Sequence, residues 1–474
     1  MKAKFWLARV TVEATSPIAV GTGSGDALRD ALFAVGPGGL PYLPATSLAG
    51  VLRRAATPEQ DKRQQWFGKV LNGAVLSRVV VSDGLLHDRS NRPQRLEALP
   101  GDDSVLGFAA AGITRDHVRL NAAGVADGAG KFDDSAVPAG VRFTFEVRVD
   151  LDGTPDGDEC VQALRAVLIA PLYVGGKTNN GYGALKPVAV SVRTFDLAGS
   201  PADRKAWGEL PRDLAMPAKL DALGFRSEPL ASNTKQAKAA PGGQFVTLSL
   251  TAQDHLLLGG GSWLPDQAAA AVGTSGVKQP YTELGIFWTG SAGEVSAKPQ
   301  AVIPASGVKG ALRHRTEFHL RRLLAKAGAE NPDSRVEEAV ESLFGSVKGE
   351  KNDESSGRPG RVRIGDVRLA PAAMADDKLA LATHVSIDRF TGGPMPGLLF
   401  SDVSLFRPGF TLQVEALPAL NQSKLARQAF VWALRDLVEG RLALGTGRNA
   451  GYGFLKGNLN ELQPLAQWVK GVAE

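Results

Sequence analysis

Alternating apolar and polar side chains mark the first strand of the chain. In WLARVTVEATSPIAV (residues 6–20) an apolar residue recurs at nearly every second position, the period of a half-buried strand. Short segments rich in Val, Phe and Leu predict further strands. These lie at 31–35, 78–86, 141–151, 361–369 and 410–417.

Four segments show the helical spacing of apolar residues instead. They span 39–56, 159–172, 302–328 and 424–440. The first and third segments contain a proline followed by hydroxyl residues. Thr46, Ser47 and Ser306 are therefore predicted to cap the unpaired amides at two helix starts.

Two polar segments share a further pattern. RDHVRLNAAGVADGAGKFDD (115–134) and THVSIDRFTGGPMPGLLFSD (383–402) both contain a His-Val pair, a glycine-rich turn and a closing phenylalanine, Phe132 or Phe400. Because glycine-rich turns between such segments are typical of loops and hairpins, we expect long loops or hairpins outside the core.

The chain carries these landmarks twice in the same order. YVGGKTNNGYGALK (173–186, glycine loop 1) and ALGTGRNAGYGFLK (443–456, glycine loop 2) each follow the last helix of a half. Matching series of strands and helices indicate a duplicated α+β fold, two tandem modified ferredoxin-like domains. The Pro-, Ala- and Lys-rich composition of 196–242 predicts a linker between domains at 1–195 and 243–474.

Length and composition agree with two domains. A chain of 474 residues exceeds what one core usually holds, and its net charge of +5 permits a polyanionic partner without establishing one. The single cysteine, Cys160, excludes an intrachain disulfide and is expected to be buried. The sequence predicts no secretory signal and no membrane span, so we expect a cytoplasmic protein.

Cations and amides in the glycine loops are candidate phosphate ligands. Glycine allows close approach of the backbone, and Lys177 and Asn179 in loop 1, like Arg448 and Asn449 in loop 2, add polar groups. A tight helix-to-strand connection is the alternative. Basic residues at the first helix of each half, Arg53 or Lys309 and Arg313, are compatible with either a nucleic-acid groove or a solvated face.

Carboxylates near the start of each half are candidates for catalysis. Asp26 and Asp30 lie in a glycine-rich segment before a strand, and the second half offers Asp266 and Glu283. Such groups can hold a divalent metal or orient an RNA hydroxyl, although loop aspartates are also common turn formers. His117 and His384 occupy equivalent positions and are either ligand contacts or structural residues.

Together these residues resemble the RAMP superfamily of CRISPR-associated proteins, most closely the repeated backbone subunit of type III effector complexes. The resemblance is carried by GLPYLPATSLAGVLR and VIPASGVKGALRHR at the first helices, by both His-Val segments and by both GYG loops. The fusion of two such domains is similar to the double-backbone subunits of type III-D-like complexes.

The resemblance implies two modified RNA-recognition-motif domains, each with an extended hairpin called a thumb. They would hold guide RNA beside complementary target RNA within a complex of several subunits. RNA-binding positions would include Ser306, Lys309 and, in the second hairpin, Arg389.

The resemblance also implies metal-dependent cleavage of target RNA. It places Asp30 at the catalytic and metal-binding position, with Asp26 as the alternative and Mg²⁺ as the expected ion. Glu283 is the nearest match in the second half, with Asp266 upstream. Two other functions stay open: a non-catalytic guide-RNA scaffold, and a guide-processing endoribonuclease that uses His117 and His384.

Overall fold

The computed structural model describes residues 3–21, 32–70, 73–120, 126–151, 153–231, 243–265, 277–328, 332–346, 357–417 and 424–470. The chain divides into two compact units. Unit 1 comprises residues 1–178, 182–238 and 285–296, and unit 2 comprises residues 179–181, 239–284 and 297–474.

The first half contains strands and helices at the following positions. The strands are β1 (Lys4–Ala14), β2 (Val79–Val81), β3 (Leu85–Leu86), β4 (Ile113–Leu120), β5 (Ala126–Ala136), β6 (Arg142–Leu151), β7 (Leu172–Tyr173), β8 (Ala184–Asp196) and β9 (Arg226–Ser227). The helices are α1 (Ala45–Ala56), α2 (Gln60–Phe67), α3 (Ser104–Ala111), α4 (Pro155–Leu168) and α5 (Pro201–Glu209).

The second half follows a similar series. Its strands are β10 (Gln244–Ala252), β11 (His255–Leu256), β12 (Thr282–Glu283), β13 (Ile286–Thr289), β14 (Ala292–Val295), β15 (Gln300–Ile303), β16 (Val362–Ile364), β17 (Val367–Arg368), β18 (Leu379–Ile387), β19 (Pro394–Phe406), β20 (Gly409–Ala416) and β21 (Leu455–Gly457). Its helices are α6 (Ala305–Lys326), α7 (Pro332–Phe344), α8 (Lys424–Val438) and α9 (Gln463–Lys470).

Each unit contains an antiparallel sheet with equivalent strand order. The order is β2-β6-β1-β8-β7 in unit 1 and β16-β20-β10-β21 in unit 2. In both, the first strand lies between the strand that follows the hairpin and the strand that follows the glycine loop. This is the order of the βαββαβ ferredoxin-like unit. The predicted tandem α+β fold is therefore confirmed.

Alternation in β1 builds the core of unit 1. Trp6, Ala8 and Val10 point to one face of the sheet and join a buried cluster with residues of α1 and α4, including Leu48 and Leu164. Burial of such apolar side chains contributes about 25 cal/mol per Å² of apolar surface removed from water. The two central helices thereby cover one face of the sheet.

The opposite face of the unit 1 sheet is covered in part by the segment predicted as a linker. Phe5 and Phe195 project to this face, 5.3 Å apart, and the ring of Trp207 on α5 packs edge-on against both. The strand β9 also pairs with β8. The structure thus places 201–227 against the sheet of unit 1, where this segment buries Phe5 and Phe195. Residues 232–242 lie outside the described residues.

Two local predictions differ from the structure. The segment predicted as a strand at 31–35 forms only isolated bridges at Phe33 and Val35 in its described part. The predicted hydroxyl caps are wrong, because α1 and α6 begin directly after proline and the three hydroxyl residues lie inside the first helical turn.

Aspartates from a neighbouring loop accept the first helical amides instead. Asp83 Oδ1 accepts from the Ala45 amide at 2.7 Å, and Asp366 Oδ1 accepts from the Ala305 amide at 2.8 Å.

Two further expectations can be compared with the structure. Cys160 is fully buried on α4, as predicted, and its burial raises the pKa of the thiol to about 12. Among the helices that the structure describes, none has both the length and the apolar character to cross a bilayer.

Candidate functional site

A polar cluster lies at the base of hairpin 1, formed by β4 and β5. His117 and Phe132 are direct cross-strand partners, and their rings stack with centroids 5.1 Å apart. His117 Nε2 lies 2.9 Å from the hydroxyl of Tyr182, in the GYG motif, and 3.1 Å from Asp134 Oδ2. The hairpin and glycine loop 1 therefore meet at this cluster.

Asp134 is the buried carboxylate of the cluster, and it pairs with Lys177 of the glycine loop. Burial alone would raise the pKa of Asp134. The hydrogen bonds and charges of His117 and Lys177 outweigh this effect, so the pKa falls below its ordinary value. Asp134 is a fixed negative charge at neutral pH.

Hairpin 2, formed by β18 and β19, repeats the cluster. His384 stacks on its cross-strand partner Phe400 with centroids 5.0 Å apart. Asp402 Oδ2 lies 2.8 Å from His384 Nε2, and Asp402 Oδ1 accepts from the Tyr452 hydroxyl at 3.2 Å. Burial and the adjacent carboxylate raise the pKa of Tyr452. Each unit thus holds one His, Phe, Asp and Tyr in matching positions, which we name the hairpin-base cluster.

The aspartates and tyrosines were not singled out as site residues from the sequence. A signal was present, since Phe-x-Asp occurs in both hairpins, at Phe132 to Asp134 and at Phe400 to Asp402. The Phe-x-Asp pattern could not be assigned to a site from the sequence, because the tyrosines of the GYG loops reach the hairpins through tertiary contacts that spacing does not predict.

The two glycine loops share tight backbone geometry. Gly183 and Gly453 have φ near +74° and +82°, and a Cβ at either would lie 2.0 Å from a carbonyl oxygen, that of Val174 or Leu444. Several amides of glycine loop 2 donate within the loop or to β11, including those of Tyr452 and Gly453. The geometry favours a tight connection, with side chains rather than these amides facing a ligand.

Cations in the two glycine loops differ in their surroundings. Lys177 adopts a left-handed backbone with φ of 55°, where the second loop has Gly447 with φ of 81°. A non-glycine residue is unusual there and costs about 1 kcal/mol. Arg448 and Asn449 are exposed, and Asn179 Nδ2 donates to the Gly360 carbonyl at 2.6 Å.

The basic residues of the first helices are not equivalent. Lys309 is only 9% exposed and donates to Asn180 Oδ1 at 3.0 Å; burial, with the charge of Arg313, lowers its pKa to about 8. Arg313 donates to the Gly345 carbonyl at 3.2 Å. Arg53 on α1 is exposed, and Ser306 is half-buried in the first turn of α6.

The tip of hairpin 2 presents a cation and an aromatic ring. Phe390 is 90% exposed, and the Arg389 guanidinium lies 5.7 Å from its ring centroid. Asp388 shapes the turn by accepting from the amides of Phe390 and Thr391, both at 2.8 Å, and these bonds lower its pKa. An exposed ring beside a guanidinium is suited to stacking on a nucleobase.

The candidate catalytic carboxylates are only partly within the described residues. Asp26, Asp30 and Asp266 lie outside them. Glu283 is buried, forms an ion pair with Arg368, and accepts from the Tyr281 hydroxyl at 2.8 Å. Within the described ranges no group of three or more His, Cys, Asp or Glu residues could hold a metal. The carboxylate of Glu283 is thus compensated by an internal cation and does not fit a metal site.

Comparison with known proteins identifies one family. A family model described as the RAMP superfamily matches residues 11–186 and 286–456, one region in each half of the chain. No curated protein sequence matches the chain.

Similar solved structures include two described as type III-B Cmr-beta. One is the apo state, with 12% identity and a TM-score of 0.29; the other is bound to cognate target RNA, with 14% identity and a TM-score of 0.31. Each alignment covers 38% of this chain and 96% of the other.

Proposed function

The chain belongs to the RAMP superfamily, and from this premise we propose that it is a guide-RNA-binding backbone subunit of a type III CRISPR effector complex. The observation that carries the proposal is the duplicated hairpin-base cluster, which joins an exposed hairpin to a glycine loop in each matched region. Guide RNA, complementary target RNA and other subunits of the complex would be its partners.

The chemistry of the hairpins supports an RNA-binding role. In hairpin 2 the outer residues include the exposed Phe390 and Leu399, and the cation Arg389 lies beside Phe390. Sequence-tolerant binding of single strands combines base stacking on aromatic rings with cations that follow the phosphates. The clusters with Asp134 and Asp402 would hold each hairpin in a fixed orientation for this contact.

We further propose that the first half cleaves target RNA with a divalent metal, expected to be Mg²⁺, at Asp30. Carboxylate oxygens are ligands that Mg²⁺ prefers, and the metal would supply charge stabilisation at the scissile phosphate. For the second half we propose a non-catalytic scaffold, because the matching carboxylate, Glu283, is already paired with Arg368.

Cleavage by the assembled complex tests these proposals. Asp30→Ala is expected to abolish one target cut while guide RNA and all subunits are retained; Glu283→Gln is expected to leave the cuts unchanged. Chelation of divalent ions should abolish cleavage in the unmodified complex. An unchanged cleavage ladder for Asp30→Ala would overturn the assignment of Asp30. If a matched Asp26→Ala variant then loses the cut, the catalytic position is assigned to Asp26 instead.

A further inference from the structure

A pocket of about 290 Å³ lies between α6 and α8 in unit 2. It is lined by four arginines, one histidine, one tryptophan and one aspartate. None of these residues belongs to hairpin 2 or to glycine loop 2, so the pocket is separate from the hairpin-base cluster. Its volume is near the lower end of the range for ligand pockets, about 300 to 1,000 Å³, which suits one nucleotide-sized ligand.

Asp436 fixes two of the arginines. It accepts from Arg315 Nε at 2.6 Å and from Arg441 Nε at 3.0 Å. Burial would raise the pKa of Asp436, but the hydrogen bonds from Arg315 and His319 lower it, so the carboxylate stays ionised. Because each guanidinium has five N–H donors, binding through Nε leaves the terminal donors of Arg315 for a second acceptor, whereas a terminal nitrogen of Arg441 pairs with Glu439.

The pocket carries more positive than negative charge. Arg322 and Arg435 are exposed at its wall, and Arg435 Nε donates to Glu439 at 3.1 Å. Four guanidinium groups therefore line the pocket with one carboxylate, Asp436, and a second carboxylate, Glu439, lies next to the pocket and pairs with Arg435 and Arg441. A planar guanidinium group can donate two parallel hydrogen bonds to the oxygens of one phosphate. An excess of guanidinium groups in one pocket therefore favours a phosphate-bearing ligand.

His319 and Trp432 add a second kind of contact. His319 is 7% exposed and bonds Asp436 Oδ2 through Nε2 at 2.7 Å, but its buried Nδ1 has no hydrogen-bond partner among the residues the structure describes. Buried polar atoms are rarely unpaired, and those that are often mark functional sites. The half-buried indole of Trp432, 5.6 Å from His319, adds an aromatic surface of the kind that stacks on a nucleobase.

Within the described residues, the first half lacks equivalents of most residues that line this pocket. The helix α6 is 22 residues long whereas α1 has 12, and His319 and Arg322 lie beyond the twelfth residue of α6. Counted back from the two GYG motifs, Trp432 corresponds to Gln162 and Asp436 to Ala166. Arg435 does have an equivalent, Arg165, but the fold of the first half forms without Trp432 and Asp436, so their clustering with arginines calls for a separate role.

We propose that this pocket binds a nucleoside monophosphate, either free or as the 5′-phosphorylated end of an RNA. Its phosphate would contact the guanidinium groups of Arg315, Arg322 and Arg435, and its base would contact Trp432. This site goes beyond the guide-holding function and does not depend on it.

Calorimetric titration of the full chain with AMP, adenosine, inorganic phosphate and a poly-glutamate peptide tests the proposal. AMP is expected to bind at least about tenfold more tightly than either adenosine or phosphate, because only AMP makes both contacts. The double variant Arg322→Ala/Arg435→Ala should weaken AMP binding about tenfold or more. Arg321 is an exposed neighbour on α6, and Arg321→Ala is the matched control, which should change the affinity for AMP less than about twofold.

A variant of Trp432 and two RNA probes complete the test. Trp432→Leu should weaken AMP binding and leave phosphate binding unchanged. Competition by a 5′-phosphorylated hexanucleotide, but not by its 5′-hydroxyl form, would assign the RNA end as the ligand; AMP binding without such competition would assign the free nucleotide. The proposal is overturned by absence of saturable AMP binding, by equal affinity for phosphate, by preference for poly-glutamate, or by AMP affinity that the double variant leaves intact.

Discussion

Several charged residues lie in an environment that the local sequence pattern does not predict. Lys309 follows a helix start, where a cation would face a phosphate, but the structure buries it beside Asn180. The sequence could not predict this because burial of Lys309 depends on the loop of residues 179–181, far away in the chain. Asp83 and Asp366 are similar cases, since each caps a helix from a separate loop.

Burial of Lys309 has a measurable cost. The difference between a pKa of 10.5 in the unfolded chain and about 8 in the folded one corresponds to about 3 kcal/mol at neutral pH. Because the folded-state pKa is lowered, this cost is complete below pH 8 and is relieved as the pH rises toward 10.5. Lys309→Met is therefore expected to stabilise unit 2 at pH 7, by about 1 to 3 kcal/mol after loss of the bond to Asn180.

Denaturant unfolding at pH 7 and pH 9 measures this effect. The advantage of Lys309→Met over the unmodified chain should shrink by about 1 kcal/mol at the higher pH. Lys326 is an exposed lysine on the same helix, and Lys326→Met should change the free energy of unfolding by less than about 0.5 kcal/mol at either pH. A Lys309→Met variant that is less stable than the unmodified chain at pH 7 would contradict the assigned cost.

At the scale of elements, most helices and strands follow from local patterns, whereas their contacts do not. The His-Val segments predict loops or hairpins, and the structure forms them as β4–β5 and β18–β19. The segment 201–227 was included in the predicted linker of 196–242 because that stretch is rich in Pro, Ala and Lys, and composition does not show what Trp207 and Phe225 contact. Their role becomes visible only when Phe5 and Phe195 are placed opposite them on the sheet.

The glycine loops allow a matched comparison of two glycines. Gly451 and Gly453 both have positive φ, but a Cβ at Gly451 would meet nothing within 4 Å, whereas one at Gly453 would lie 2.0 Å from the Leu444 carbonyl oxygen. Gly451→Ala is expected to cost about 1 kcal/mol from backbone strain alone. Gly453→Ala adds a clash with backbone and is expected to cost about 3 kcal/mol or more.

Denaturant unfolding of the two alanine variants decides whether the loop geometry is a requirement of the fold. Gly183→Ala in the first half should behave like Gly453→Ala, because its Cβ would meet the Val174 carbonyl oxygen at the same distance. Equal costs for Gly451→Ala and Gly453→Ala would contradict the close approach of backbone at the second glycine of GYG.

At the scale of the whole molecule, duplication is the feature from which most of the account follows. The sequence predicts two domains of one architecture, and the family model matches both halves. The two copies also differ. Loop 1 has Lys177 paired with Asp134, and in the second half α6 contributes Arg315 and Arg322 to an arginine pocket. These differences depend on which side chains approach one another in space, which a comparison of motifs alone does not reveal.

The proposed function requires that both halves hold guide RNA through equivalent hairpins. Val118 and Val385 follow the equivalent histidines and are about half exposed, at 51% and 46%. The most direct test replaces each in turn by a photo-crosslinking amino acid in the assembled complex and maps the crosslinks on the guide RNA. Two crosslinks at distinct guide positions with a fixed separation are predicted. Absence of a guide crosslink from either hairpin would contradict the account.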